Sequence, residues 1–153
     1  MYEDLNMTPR GIVIHTVGVR GDTTVAAIRK YHVEHNGWRD VGYHRFVRKG
    51  GLVEVGRALF TPGAHLEGAN DTLGICVAGH GDVEPWTTEQ TKSVIDLCVE
   101  WCAHFGWDSS HVVGHREGPA RFGAKPTTKT CPGLLVDMDQ VRALVALGLA
   151  VAT

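Results

Sequence analysis

The segment Gly11-Ile12-Val13-Ile14-His15-Thr16-Val17 decides the fold, because it has the pattern of a buried β-strand. It is a short run of mostly β-branched residues, and Pro9 precedes it as a boundary signal. His15 stands out in this apolar run and falls near the carboxyl edge of the strand. Functional sites of sheet proteins are commonly built at strand ends, so His15 is a candidate site residue.

Strand and helix patterns alternate along the rest of the chain. A helix is predicted from about Val25 to His35 behind the N-cap candidates Asp22, Thr23 and Thr24, and a longer helix runs from the capping box Thr87-Thr88-Glu89-Gln90 to Gly106. The other predicted elements are strands Val41–Lys49, Leu52–Arg57, Leu73–Gly79 and His111–His115, a two-residue Gly50-Gly51 hairpin turn, loops Thr61–Thr72 and His115–Pro132, and a last helix from Asp137 or Asp139 to about Leu147. We therefore predict an α/β fold with a central mixed β-sheet flanked by helices, in a single domain over residues 1–153.

Charge and apolar patterning exclude several classes of partner. The formal net charge is -2, and the Lys and Arg residues form no stripe, so nucleic acid is not expected as a partner. Met1–Arg10 carries Glu3 and Asp4 and has no uninterrupted apolar core, which argues against a signal peptide or membrane anchor. The apolar segment Leu144–Ala152 is too short to span a bilayer. We expect a cytoplasmic protein.

The four cysteines fit a reducing compartment, in which thiols remain free. Cys98 and Cys102 share one face of a predicted helix, where they are either a metal-binding pair or core residues. Their apolar neighbours favour the core, and Cys76 in its apolar run is interpreted in the same way. Cys131 remains as the candidate reactive or ligating thiol.

His15, His115 and Cys131 are the candidate metal ligands. His115 follows a short predicted strand, and Cys131 stands in a loop before Pro132 and Gly133. Two imidazoles and a thiolate suit zinc, and three protein ligands leave one coordination position open, as in catalytic zinc sites. Taken alone, His15 is better explained as a satisfied histidine at a strand end.

Six segments, taken in order, resemble the zinc-dependent N-acetylmuramoyl-L-alanine amidases of the phage lysozyme and peptidoglycan-recognition-protein superfamily. They cover the chain from about Ile12 to Gly133 and are Ile12-Val13-Ile14-His15-Thr16, Gly37-Trp38-Arg39-Asp40-Val41-Gly42-Tyr43-His44, Gly63-Ala64-His65-Leu66-Glu67-Gly68-Ala69-Asn70, Leu73-Gly74-Ile75, Gly114-His115-Arg116-Glu117 and Lys129-Thr130-Cys131-Pro132-Gly133. One such segment is a weak signal, but six in family order are specific.

The resemblance implies a role for each matching residue. It implies that His15, His115 and Cys131 hold one Zn²⁺ per chain. Tyr43 matches the active-site tyrosine, and Lys129 matches the lysine two positions before the cysteine. Zinc brings the pKa of bound water to about 7, and a cation beside the metal stabilises a tetrahedral oxyanion, typically by about 3 kcal/mol or more. A tyrosine hydroxyl can hydrogen-bond the intermediate and help carry a proton.

Several neighbouring residues have two interpretations. Glu117 is either a general base or a structural ion-pair residue, and the second is favoured because Tyr43 and Lys129 already match the family pair. His44, next to Tyr43 on a predicted strand, is expected to point to the opposite face and to be a poor ligand. In the resembling family the loop of His65 and Asn70 helps to shape the substrate groove, so these two are predicted to bind substrate. Trp38 either stacks on a sugar or caps the core.

The activity that the resemblance implies is hydrolysis of the amide bond between N-acetylmuramic acid and L-alanine. The expected partners are the stem peptide and muramic acid of peptidoglycan, and we expect a monomeric phage or prophage endolysin that stays in the cytoplasm until it is released to the cell wall. A peptidoglycan-binding module without catalysis is disfavoured because Cys131 is present, and binding-only members of the superfamily generally lack that cysteine. A zinc nucleobase deaminase is disfavoured because Leu134 stands where the second cysteine of its signature belongs.

Overall fold

The strand around His15 lies in the interior of a five-stranded mixed sheet in the computed structural model, which describes residues 7–152. The strands are β1 (Ile12–Thr16), β2 (Arg45–Val47), β3 (Val53–Val55), β4 (Leu73–Val77) and β5 (Val112–Gly114), and the helices are α1 (Val25–Asn36), α2 (Thr88–Phe105), α3 (Gly118–Phe122) and α4 (Met138–Ala152). The strand order is β3-β2-β4-β1-β5, with β3 antiparallel to β2 and the other pairs parallel. The predicted α/β class and central mixed sheet are confirmed. The prediction of one domain over residues 1–153 extends beyond the described residues, as does part of the prediction for Met1–Arg10.

The side chains of β1 alternate between two buried layers. Ile12 and Ile14 join the core that α2 and α4 cover, whereas Val13 packs on the opposite face with Leu66 and Phe122. His15 follows Val13 by two residues and therefore lies on that opposite face. The sheet thus keeps its largest apolar core on the side away from His15.

The caps of α1 and α2 lie where local chemistry predicts them. Thr24 is the N-cap of α1, and its side chain accepts a hydrogen bond from the backbone of Ala27. The predicted capping box of α2 is formed by Thr87 and Gln90. Gly37 and Gly106 follow the two helices at their carboxyl ends. These ends of the helices are determined by short-range hydrogen bonds.

The predicted strand Val41–Lys49 is wrong at its beginning, since only Arg45–Val47 is β-strand. Before Arg45 the backbone makes hydrogen bonds outside the sheet. The N–H of Gly42 donates to Nδ1 of His32, and the carbonyl of Gly42 accepts from the N–H of Ala64. Tyr43 consequently lies outside the regular strand. The hairpin turn is also longer than predicted, and backbone bonds close it over Arg48–Leu52.

Two larger differences from the prediction lie in the second half of the chain. The stretch after His115 is a 3-10 turn (His115–Glu117) followed by α3, where a loop was predicted. The carboxylate of Glu117 accepts from the backbone of Gly114, and proline lies in the first turn of α3, which favours a helix start. Helix α4 continues to Ala152, beyond the predicted end at Leu147.

The core interpretation of three cysteines is confirmed, because Cys76, Cys98 and Cys102 are free and buried in apolar clusters. Among the described helices, none combines the length and apolar character needed to cross a bilayer.

Candidate metal centre

Three separate parts of the chain bring the candidate ligands together. His15 is the fourth residue of β1, His115 follows directly after β5, and Cys131 lies in the loop before α4. Because β1 and β5 are parallel neighbours, their carboxyl ends lie at the same edge of the sheet. The ligand atoms of His15, His115 and Cys131 all lie within 4.8 Å of one another.

The spacing of these donors suits a tetrahedral zinc ion. Bond lengths of about 2.3 Å to sulfur and about 2.0 Å to nitrogen, at a tetrahedral angle, separate the two donor atoms by roughly 3.5 Å. The observed separation between Sγ of Cys131 and Nδ1 of His15 is 3.7 Å. The ring centroids of His15 and His115 are 4.9 Å apart. The three residues therefore fit zinc in chemistry and in spacing.

The protonation states of the ligands favour a cation as well. Burial, followed by the neighbouring His65 and His115, holds the pKa of His15 well below its ordinary value. Burial and the charge of Lys129 likewise lower the pKa of His115, so both imidazoles are neutral at neutral pH. Burial raises the pKa of Cys131 to about 11, and its sulfur accepts from the backbone N–H of Thr16 at 3.3 Å. A metal bound here therefore displaces the thiol proton.

Tyr43 and Lys129 both lie beside the candidate ligands. The ring centroids of Tyr43 and His15 are 5.3 Å apart. Burial, with the thiols of Cys76 and Cys131 nearby, raises the pKa of Tyr43 well above its ordinary value, so the phenol keeps its proton. Lys129 is exposed and lines the cleft beside the ligands.

The ligands form the floor of an open cleft with a volume of about 430 Å³. A second cleft of about 510 Å³ shares part of its lining with the first, namely Trp38, Ala64, His65, His115 and Lys129. Asn70 lines only the second cleft, and its side-chain oxygen accepts from the backbone N–H groups of His65 and Leu66. Asn70 therefore orders its own loop, and its predicted contact with substrate remains a prediction.

His65 belongs to a polar loop, but it is buried. Its side chain is buried, and its Nδ1 lies 2.9 Å from Nε2 of His15. Its other ring nitrogen lies 2.9 Å from the carbonyl oxygen of Thr72. The loop is polar, but the imidazole is part of the interior.

Glu117 and His44 are both held by bonds away from the metal ligands. The oxygens of Glu117 accept from the guanidinium of Arg142 and from the backbone of Gly114, as the ion-pair interpretation expects. His44 bonds the carbonyl of Thr61 and the N–H of Gly74, so neither of its ring nitrogens is available to a metal. His44 is a poor metal ligand because of these hydrogen bonds. Strand alternation is not the cause, since His44 precedes β2.

Sequence reasoning missed the residues that hold the Cys131 loop. Arg116 donates from its side chain to the carbonyls of residues 130, 133 and 136. Oδ1 of Asp82 accepts from the hydroxyl of Thr130 and the backbone of Leu134. His80, for which the sequence suggested no role, lines the cleft with Asp82. Arg116 follows the candidate ligand His115 directly, so its position in the sequence could have suggested a role at the site. Asp82 is too far along the chain from Thr130 and Leu134 for the sequence to suggest their contact.

The fold is similar to those of solved N-acetylmuramoyl-L-alanine amidases and peptidoglycan recognition proteins. The N-acetylmuramoyl-L-alanine amidase LysC from Clostridium intestinale is similar with a TM-score of 0.78 and 27% identity, over 90% of this chain and 85% of that chain. Drosophila PGRP-LB shares the fold with a TM-score of 0.70 and 21% identity, over 84% of this chain and 78% of that chain.

The family follows from the sequence as a whole. The family model described as N-acetylmuramoyl-L-alanine amidase matches residues 5–134, and the chain belongs to that family. Among curated relatives, the endolysin of Klebsiella phage KP32 is 39% identical over 85 residues, which are 52% of this chain and 56% of the phage protein. The chain thus spans just over half the length of such relatives.

Proposed function

We propose that this protein hydrolyses the amide bond between N-acetylmuramic acid and L-alanine in bacterial peptidoglycan, as a phage or prophage endolysin. The observation that carries this proposal is the convergence of the ligand atoms of His15, His115 and Cys131 within 4.8 Å at the floor of an open cleft. Membership of the amidase family and similarity to a phage endolysin support it.

One Zn²⁺ per chain is the cofactor that this donor set fits, with two neutral imidazoles and one thiolate. The chemistry that zinc supplies when bound at such a site is polarisation of a carbonyl and activation of water at neutral pH. His15, His115 and Cys131 would hold the ion, and the cleft leaves them accessible to a substrate on one side.

Tyr43 and Lys129 act on the charge that develops at the scissile carbonyl. Attack of water on an amide produces a tetrahedral oxyanion, and a preorganised cation or hydroxyl donor stabilises it. The phenol of Tyr43 keeps its proton because burial raises its pKa, so it donates a hydrogen bond to that oxygen or to the attacking water. The exposed ammonium group of Lys129 lies at the cleft and supplies the positive charge.

The two adjoining clefts are large enough for a muramic acid residue and the first residues of a stem peptide, with volumes of about 430 and 510 Å³. We assign the substrate to this groove, with Asn70 and Trp38 at its wall. Nucleic acid and membranes are not partners in this proposal, and the protein acts as a monomer. It remains in the cytoplasm until release brings it to the cell wall.

Digestion of purified peptidoglycan tests this function. We expect mass spectrometry to show new L-alanine amino termini without new reducing sugar ends, together with about one equivalent of bound zinc. The matched variant Cys131→Ser is expected to lose both zinc and cleavage, because a serine hydroxyl is a poor zinc ligand. New reducing ends would assign the cleavage to the glycan strand and contradict the amidase. Full zinc loading without cleavage would favour a peptidoglycan-binding module.

A further inference from the structure

We propose that His65 is a positioning residue for the metal ligand His15 and does not bind substrate through its ring nitrogens. The pair forms a chain of hydrogen bonds that runs from the carbonyl of Thr72 through His65 to His15. This inference rests on the zinc site of the proposed function and adds to it a residue that determines how one ligand presents its lone pair.

The carbonyl of Thr72 determines the tautomers along the chain. A carbonyl oxygen only accepts, so Nε2 of His65 carries the proton and donates to Thr72. A neutral imidazole has one N–H, which leaves Nδ1 of His65 as an acceptor. That atom therefore accepts from Nε2–H of His15 at 2.9 Å.

The consequence for His15 is that its lone pair lies on Nδ1. This is the nitrogen that lies 3.7 Å from Sγ of Cys131, on the side of the other ligands. A ligating histidine usually donates its second ring N–H to a carboxylate, a carbonyl or a water, and that partner determines the ring orientation. Here a buried imidazole takes the place of that partner, and the backbone carbonyl of Thr72 orients the imidazole in turn.

The His65 ring packs directly against the backbone at two glycines, Gly63 and Gly74. A Cβ added at Gly74 would lie 2.7 Å from Cγ of His65, and one added at Gly63 would lie 2.4 Å from its Cδ2. Both glycines are thus explained by the approach of one imidazole to the backbone. The backbone N–H of His65 also donates to the side chain of Asn70, which anchors the loop from the other side.

The hydrogen bonds of His65 distinguish it from a residue that binds substrate. Both ring nitrogens are engaged by His15 and Thr72, and the residue is 9% exposed. A peptide or sugar in the cleft therefore meets no free donor or acceptor on this ring. Its influence on catalysis has to pass through His15.

Zinc affinity, measured by chelator competition, is the decisive experiment. His65→Leu removes the acceptor for His15, and we expect zinc affinity to weaken by about 10- to 100-fold, the usual effect of losing such a partner. His65→Asn keeps a carboxamide oxygen near the position of Nδ1, and we expect it to restore most of the affinity. Cobalt substitution adds a spectroscopic readout, and the ligand-field bands are expected to shift in His65→Leu and to return towards wild type in His65→Asn.

His44→Leu is the matched control. His44 is also buried and also makes two ring hydrogen bonds, but both go to backbone groups and neither to His15. We expect this variant to lose stability with little change in zinc affinity. If folded His65→Leu binds zinc as tightly as wild type, or raises only KM for peptidoglycan fragments, the positioning role is wrong. If wild type itself binds no zinc, the proposed function fails instead.

Discussion

Lys129 is an exposed residue, and the role proposed for it is electrostatic. Its positive charge contributes to the lowered pKa of both His15 and His115, which places its field at the candidate metal site. It is not a metal ligand, and it makes no side-chain ion pair among those described for residues 7–152. The contribution to catalysis that we propose for Lys129 can therefore be tested separately from the construction of the site.

The variant Lys129→Ala tests this role. We expect zinc content and stability close to wild type and a turnover rate lowered by about two orders of magnitude, the usual cost of losing one oxyanion-stabilising group. Zinc analysis and turnover of a defined muropeptide are the measurements. Full activity in this variant would remove Lys129 from the mechanism.

Glu117, in contrast to Lys129, makes hydrogen bonds that hold the structure, although its carboxylate lies near the candidate ligand His115. Its two oxygens bind the guanidinium of Arg142 at 2.9 Å each, and one of them also caps the backbone of Gly114. We expect Glu117→Gln to keep turnover within a few-fold of wild type and to lower the free energy of unfolding by about 1.5–3 kcal/mol, the range for charged hydrogen bonds. Denaturant unfolding and turnover measure the two effects. A turnover rate lowered by about two orders of magnitude at unchanged stability would show that Glu117 is a base.

At the scale of elements, the Cys131 loop is held by the turn that carries His115. Three side-chain hydrogen bonds from Arg116 reach the carbonyls of residues 130, 133 and 136, and its backbone N–H donates to the carbonyl of Cys131. These four bonds tie the turn to the loop and hold two of the candidate ligands at their spacing.

Replacing Arg116 by Lys tests this coupling. Lysine keeps the charge but loses the planar fork, so at most some of the three carbonyls remain bonded. We expect weaker zinc affinity and a loss of about 1–3 kcal/mol in stability. Arg121→Lys is the control, because Arg121 makes a single hydrogen bond to Ser110 at the surface. Equal effects of the two substitutions would contradict the coupling.

Elements with local signals were predicted well, and those whose ends depend on distant partners were not. The capping box of Thr87 and Gln90 is formed within four residues and could be recognised directly. The start of β2 could not, because the backbone of Gly42 bonds the ring of His32 and the loop at Ala64. Gly114 also depends on a distant partner: its φ is -84°, which any residue can adopt, but a Cβ there would lie 2.5 Å from Cδ of Pro132.

At the scale of the whole molecule, zinc would connect β1, the end of β5 and the loop before α4. A ligand that binds only the folded state stabilises it by about 3–4 kcal/mol at roughly 100 to 1,000 times its Kd. We expect chelation to lower the Tm of wild type and to leave the Tm of Cys131→Ser unchanged. Thermal unfolding with and without chelator measures this, and an unchanged wild-type Tm would contradict a structural contribution of the metal.

The affinity for zinc is also expected to depend on pH with a defined sign. Burial raises the pKa of Cys131 to about 11, so the thiol of the metal-free protein is protonated at neutral pH and must release its proton on binding. The imidazoles are already neutral, because the pKa values of His15 and His115 are lowered. One proton released per zinc predicts about tenfold tighter binding per pH unit between roughly pH 7 and 9. A flat profile would show that the thiolate is already formed.

The sequence alone determined the class of fold, the caps of the two main helices and, through ordered motifs, which residues are candidate ligands. These are short-range signals, since strand composition and helix capping act within a few residues. Two contacts became visible only in three dimensions: His65 bonds His15 across 50 positions, and Arg116 holds the Cys131 loop. Such contacts arise when distant segments meet at one edge of the sheet, and the spacing along the chain does not encode which buried donor meets which acceptor.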